Sequence, residues 1–428
     1  MDTIYALATA QGKAGVAIVR VSGPKAHDVA ERLTRSTLPK RGMTHKKLLS
    51  QLEQVIDDAL VLTFAAPQSF TGENVVEFQT HGSVAVISML LDELGQQEEL
   101  RLAEPGEFTR RALENGKLDL TQVEGLADLI DAETEAQRKQ AQETLSGSLG
   151  TLSEKWRRDL IRAASLIEVT IDFADEEVPV DVTPEVDSIL GSLEAELKQQ
   201  ISGVRIAERI RNGFEVAIVG APNTGKSTLL NYLAGRDAAI TSDIAGTTRD
   251  IIEVRMDLEG LPVTLLDTAG LRETDDHVEG LGIELALKRA QRADLRVFLQ
   301  QEGEALPLEP LPGDICLQPK ADLGTSDSKA ISGVTGQGVE ELVTHITGEL
   351  RNRSMSAGLA TRQRHKEALQ AALQKLSDAR AILERGPDFY DIMSEELRSA
   401  IRALEVLVGR VGVENLLDEI FASFCLGK

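Results

Sequence analysis

Apolar and polar positions alternate along the first part of the chain, then change period. GVAIVRVSG (Gly15–Gly23) and ALVLTFAAP (Ala59–Pro67) are apolar runs bounded by Gly and Pro, the pattern of strands. SVAVISMLLDELG (Ser83–Gly95) spaces its apolar residues as a helix does and stops on a glycine. From residue 118 the texture turns helical. In LTQVEGLADLIDAETEAQRKQAQETLSGSL, the positions Leu120, Val123, Leu126, Leu129 and Ile130 share one face. The pattern runs on through LSEKWRRDLIRAASLIEVTIDF, breaks at VPVDVTP (Val178–Pro184), and resumes as a helix to Arg211. Residues 212–351 alternate strand and helix, which predicts a mostly parallel α/β sheet. Long helices return after that in ATRQRHKEALQAALQKLSDARAIL, SEELRSAIRALEVLVGRV and VENLLDEIFASF. Helices therefore flank the α/β segment on both sides, and the simplest architecture inserts that segment into a helical domain.

At 428 residues the chain is too long for one core and predicts several domains. Apolar residues make up 42% and charged residues 27%, the balance of a soluble globular protein. No run reaches the roughly 18 apolar residues of a membrane span. The first residues, MDTIYALATAQGKAGVAIVR, lack the features of a secretion signal. Two cysteines, Cys316 and Cys425, make no disulfide framework and fit a reducing cytoplasm. The net charge of −23 argues against a chain that grips nucleic acid by itself. Two short basic clusters, KRGMTHKK (Lys40–Lys47) and RQRHK (Arg362–Lys366), read as solvated loop and helix faces. If this chain acts on RNA, a partner supplies most of the grip.

FEVAIVG (Phe214–Gly220) is a buried-type strand, and GAPNTGKST leads from it into the helix LLNYLAG. Strand, GxxxxGK[ST] and helix in that order are the context of a phosphate-binding loop. Its glycines let backbone N–H groups approach phosphates, and the helix N-terminus adds a positive dipole. Asn223, Thr224, Gly225, Lys226, Ser227 and Thr228 are the candidate contacts. Lys226 is expected to reach the β and γ phosphates, and Ser227 to ligate Mg2+. TSDIAGTTRD (Thr241–Asp250) then reads as a switch segment. Thr248 there is the candidate Mg2+ ligand and γ-phosphate sensor, with Thr247 beside it. IIEVRMDLEG and LPVTLLDTAG predict a hairpin whose second strand ends at Asp267, placed to hold Mg2+ through a water, with the Gly270 N–H on the γ-phosphate. The next residue, Leu271, stands where many small GTPases carry a water-orienting Gln, and it cannot orient water.

The base-reading tetrad of a GTPase is Asn-Lys-x-Asp. Here the segment is LQPKAD, with Pro319 in the Asn position. Asp322 can still accept from guanine N1–H and the 2-amino group, which adenine lacks, and Lys320 can pack over the base. The missing Asn normally bonds the N7 edge and ties the tetrad to the phosphate loop. Its loss is expected to weaken affinity by roughly 0.5–1.5 kcal/mol rather than abolish specificity. ISGVTGQG (Ile331–Gly338) stands where a Ser-Ala-x loop offers a backbone N–H to guanine O6, and Gly333 can still offer it.

The chain resembles the MnmE (TrmE) family of tRNA-modification GTPases over essentially its whole length. The resemblance rests on TIYALATAQGKAGVAIVRVSG, FTGENVVEFQTHGS, EPGEFTRRALENGKLDLTQVEGLADLIDAETEAQ, IDFADEEVP, the phosphate-loop and switch segments, DTAGLRETDDHVEGLGIE and the final FCLGK. It implies an N-terminal α+β domain, residues 1–117, that dimerises and binds a formyl-tetrahydrofolate. It implies a helical domain over 118–211 and 352–428, and an inserted Ras-like P-loop GTPase domain over 212–351. It further implies an FAD-containing partner of the MnmG (GidA) type in a heterotetramer or larger assembly, acting on C5 of the tRNA wobble uridine, with tRNA held mostly by that partner. The family's GTPase domains use K+ where others use an arginine. Asn223, Ser242, Ile244 (by its carbonyl) and Thr247 match the K+ shell, and Glu279 matches the water-orienting carboxylate. Arg249 and Asp250 match as switch residues. Arg20, Glu77, Lys117 and Lys428 match the folate-binding positions, and Cys425 the terminal Cys. The rival reading is a ribosome-assembly or RNA-binding switch GTPase, which predicts a basic RNA-binding module. A nucleotide-independent interaction protein would need an inert phosphate loop.

Overall fold

A computed structural model describes residues 2–172, 181–235, 253–267, 286–301, 303–324 and 329–411, with 417, 420, 421, 424 and 427. They fall into two compact units: residues 1–127 with 405–428, and residues 128–404.

The first unit is built on a six-stranded sheet. Its strands are β1 (Thr3–Leu7), β2 (Ala14–Ser22), β3 (Gly42–Leu49), β4 (Val55–Phe64), β5 (Val75–Gly82) and β6 (Leu100–Leu102), in the order β3-β4-β5-β2-β1-β6. All neighbours are antiparallel except β1 and β6. Alternation puts Val19, Val21, Val61, Val76 and Phe78 into one core with Val29 of α1 (Ala26–Thr34) and Leu90 and Leu94 of α2 (Val84–Gly95). Ile4 and Ala6 instead meet Phe108 of α3 (Glu107–Glu114) in a smaller core. The cluster Lys40–Lys47, read from the sequence as a solvated loop or helix face, lies largely on β3, an edge strand of this sheet. Lys46 and Lys47 lie on that edge strand, where lysines discourage pairing with another chain.

In the second unit the helical region is segmented. Where the sequence pattern reads as one run, there are α4 (Leu120–Ile130), α5 (Glu135–Leu145) and α6 (Ser148–Asp172), with α4 starting in the first unit. The break before α5 is a capping box: Thr134 accepts from the Gln137 N–H, and the Gln137 side chain returns to the Thr134 N–H. Gly147, at φ 82°, interrupts the next junction. The long helix α7 (Thr183–Asn212) then delivers the chain to a second sheet.

That sheet has the order β12-β11-β10-β7-β9-β8. Its elements are β7 (Phe214–Gly220), α8 (Lys226–Ala234), β8 (Glu253–Leu258), β9 (Leu261–Asp267), β10 (Leu295–Leu299), β11 (Ile315–Pro319), β12 (Ala330–Ile331) and α10 (Val339–Ser354), with residues 286–292 as the described part of α9. Among the described residues, only the β8–β9 pair is antiparallel. The helices α11 (Gln363–Leu383) and α12 (Tyr390–Leu407) follow, and α11 packs on α7. The α/β segment is thus enclosed in sequence by helices that meet each other. Gly203 of α7 lies so near the chain leaving α10 that a β-carbon there would come within 2.3 Å of the Gly358 nitrogen. Arg209 of α7 pairs with buried Asp294 at 3.0 Å, and Asp294 also accepts the Glu215 N–H at 2.9 Å, fixing α7 to the first strand of the sheet. Burial pushes the Asp294 carboxyl above its usual range, against the pull of Arg209. The second basic cluster is partly internal. Arg362 pairs with Asp128 at 2.7 Å, and buried His365 accepts the Thr361 N–H.

Candidate GTP site

The site lies at the C-terminal ends of the parallel strands, where open α/β sheets place their ligands. β7 is buried between β9 and β10, with Ile218 opposite Asp267 and Gly220 opposite Leu299. Gly220 needs to be glycine, because a β-carbon would come within 2.5 Å of the Leu299 carbonyl oxygen. The loop turns through two left-handed residues, Asn223 at φ 60° and Gly225 at φ 97°. An asparagine tolerates that conformation better than most side chains. Asn223 is exposed, while Thr224 is buried, its hydroxyl donating to the Ala221 carbonyl at 2.8 Å.

Lys226 opens α8 and is 3% exposed. Its ammonium donates to the carbonyls of Gly220 at 2.8 Å and Ala221 at 2.6 Å. Burial holds its pKa below the ordinary lysine value, opposed by the carboxylates of Asp267 and Glu304. Beside it the Ser227 hydroxyl donates to Asp267 Oδ2 at 2.6 Å. Two hard oxygen donors, one on the loop helix and one on the neighbouring strand, are the chemistry that Mg2+ takes. Thr228 is exposed on the same turn of α8.

At the other end of the cleft, Pro319 closes β11 and is buried. Lys320 follows in the left-handed region at φ 63°, and a short 3-10 turn, Ala321–Leu323, presents Asp322 to the exterior. The Asp322 carboxylate is oriented by a residue the sequence reading passed over. Buried Ser332 donates to Asp322 Oδ1 at 2.6 Å and accepts from the backbone N–H groups of Val334 (3.1 Å) and Thr335 (3.2 Å). The parallel pairing of Pro319 with Ile331 brings them together. Phosphate loop, Lys320, Asp322 and Gly333 line one cavity of about 830 Å³, to which Leu287 of α9 also contributes. That volume suits a nucleotide, at the upper end of the roughly 300–1,000 Å³ of small-molecule sites.

In the first unit, Arg20 of β2 pairs with Glu77 of β5 at 2.8 Å, as their opposed positions in the sheet require. The Arg20 guanidinium lies 5.4 Å from the Phe70 ring and 5.6 Å from that of Phe108, and it donates to the Gly427 carbonyl at 3.3 Å. Lys117 is exposed, its side chain beside Gly72, two residues past Phe70. Three of the four positions matched to folate binding are therefore described. Lys428 lies outside the described residues, as do Ser242, Ile244, Thr247, Thr248, Arg249, Asp250, Gly270, Leu271, Glu279 and Cys425. Among the described residues, no helix is long and apolar enough to cross a membrane.

One cleft that offers a lysine, a hydroxyl and helix N–H groups at one end and an outward-facing carboxylate at the other divides its work as a P-loop GTPase does. Two family models match the chain, "GTP-binding protein TrmE N-terminus" over residues 3–117 and "MnmE helical domain" over residues 120–425. The chain belongs to the MnmE family. It is 66% identical to the tRNA modification GTPase MnmE of Ruegeria sp. (strain TM1040), with all of both chains covered. It is 65% identical to that of Ruegeria pomeroyi, again with both chains wholly covered. It is also similar to a solved structure of Era in complex with MgGDPNP and nucleotides 1506-1542 of 16S ribosomal RNA, at 29% identity, covering 32% of this chain and 56% of that one, with a TM-score of 0.26.

Proposed function

We propose that this chain is a K+-activated GTPase whose cycle serves a folate- and flavin-dependent modification of tRNA, at C5 of the wobble uridine. The observation that carries the catalytic half is the Ser227–Asp267 contact at 2.6 Å beside buried Lys226. Lys226 has only to swing from two loop carbonyls to meet the β and γ phosphates, and Ser227 and Asp267 (the latter through water) hold Mg2+. Ser227 and Asp267 would hold an Mg2+ that offsets charge on the phosphates, and Asn223 would help hold a K+ that supplies the positive charge an arginine supplies elsewhere. Asn223 suits K+ because it stands exposed on the loop and carries an amide oxygen, a neutral hard donor. Ser242, Ile244 and Thr247 complete that shell, Thr248 and Gly270 attend the γ-phosphate, and Glu279 orients the attacking water in place of the absent Gln.

In the first unit, Arg20, Lys117 and Lys428 suit the glutamyl carboxylates of a 5-formyl-tetrahydrofolate, and Glu77 suits its ring N–H donors. The exposed Phe70 ring beside Arg20 favours a flat heterocycle there. The chain works in the cytoplasm as a homodimer, with an MnmG-type FAD protein that carries most of the tRNA contact. The family membership and the net charge of −23 support this division. A ribosome-assembly switch would need a basic RNA-binding face. The two basic clusters serve instead on an edge strand and in the Arg362–Asp128 pair.

The test is nucleoside analysis of tRNA from cells lacking the chain, complemented with wild type, Glu279→Ala or Arg20→Ala. Wild type restores the modified wobble uridine, and neither variant does. Full restoration by Glu279→Ala, with unchanged GTP turnover in K+, overturns the catalytic assignment.

A further inference from the structure

The departure at Pro319 leaves a structural question. The Asn it replaces ties the base-reading carboxylate to the phosphate loop, and proline can offer no such bond. The structure supplies another connection. Gly333 lies directly on the first turn of α8: a β-carbon there would come 2.6 Å from the Leu229 nitrogen, 2.7 Å from its α-carbon and 2.8 Å from the Thr228 carbonyl carbon. These are backbone atoms that cannot swing aside. Three residues on, Gly336 (φ 80°) sits against Tyr232 of the same helix, where a β-carbon would overlap the phenol oxygen at 2.0 Å. The loop is closed on itself by Gly336 N–H to Ser332 O and Ser332 N–H to Gln337 O, both 3.0 Å. Its first residue, Ser332, is 1% exposed and holds Asp322. Phosphate-loop helix, glycine loop, Ser332 and Asp322 thus form one chain of contacts.

We infer that Gly333, by seating the 332–337 loop on the phosphate-loop helix, positions Asp322 for guanine and so does the work of the missing Asn. Gly333 acts through Ser332 and Asp322, so it is a positioning residue for specificity. Gly333, where a GTPase's Ser-Ala-x loop has Ala, then offsets Pro319, where its tetrad has Asn: the bond is lost, and close backbone packing replaces it. This rests on the GTPase reading above.

The test compares GTP with ITP, which lacks the 2-amino group that Asp322 accepts. Affinities are measured on the full chain by fluorescent-nucleotide displacement. Gly333→Ala is expected to weaken GTP at least tenfold and to cut the GTP:ITP preference at least threefold. Adding Pro319→Asn to Gly333→Ala is expected to recover at least threefold in GTP affinity, more than Pro319→Asn gains in the wild-type background. Should Gly333→Ala fail to fold, Tyr232→Ala loosens the same seat without a clash and is expected to cut the GTP:ITP preference as well. A merely structural role, in which the helix alone is disturbed, weakens GTP and ITP equally. An unchanged ratio, or strictly additive effects of the two substitutions, overturns the inference and leaves the GTPase reading standing. A wild-type chain that binds neither nucleotide overturns both.

Discussion

Lys226, proposed above to meet the phosphates, is held in an unfavourable place. Its ammonium is buried and bonded to two carbonyls of its own loop, and burial pulls its pKa below the ordinary value. Between that depressed value and the ordinary 10.5, the folded chain binds fewer protons than the unfolded one, so stability rises with pH across this window. Lys226→Met removes the titration. The Tm of the variant relative to wild type is therefore expected to be more favourable at pH 7 than at pH 10, as read by thermal melts at the two pH values. GTP turnover is expected to fall by on the order of 10²-fold or more, the scale of losing one preorganised donor to the transition state. A relative Tm independent of pH would contradict the burial argument. At the base end, Pro319→Asn alone is expected to raise GTP affinity, by no more than about 1.5 kcal/mol. An unchanged dissociation constant would show that the missing Asn carries no weight here.

At the scale of elements, the phosphate-binding unit was legible because its signals are local. A buried apolar strand, GAPNTGKST and a helix follow one another within Phe214–Ala234, and the observed β7 and α8 occupy those residues. The β8–β9 hairpin was legible for the same reason, with Gly260 at φ 90° in its turn. The breaks flanking α5 were missed although Thr134, Gln137 and Gly147 mark them, because the apolar period survives across both. What no local pattern could show is the grip of Ser332 on Asp322, which depends on β11 pairing with β12, or the approach of Gly333 to α8. The same holds for Gly203, whose need for glycine is set by Gly358, far along the chain and on the opposite side of the inserted segment. Gly203→Ala is expected to cost about 1–3 kcal/mol by overpacking, measured by denaturant unfolding. A stability equal to wild type would mean that the contact between α7 and the 356–358 segment yields without strain.

At the scale of the whole molecule, charge and architecture divide the work. A chain of net charge −23 is poorly suited to hold tRNA alone, and its basic clusters serve an edge strand and an internal ion pair. The helical frame of residues 128–212 and 355–404 grips the α/β segment through Arg209 and Asp294. That pair fixes α7 to the sheet at the start of β10. We propose that this cleft hydrolyses GTP with K+ in the arginine's place and reads guanine through Asp322 despite Pro319. The most direct measurement is GTP turnover by the purified chain in KCl and in NaCl at equal ionic strength, with excess ATP as competitor. Turnover is expected to be fast only in KCl and indifferent to ATP. Equal rates in the two salts, or inhibition by ATP, would contradict it.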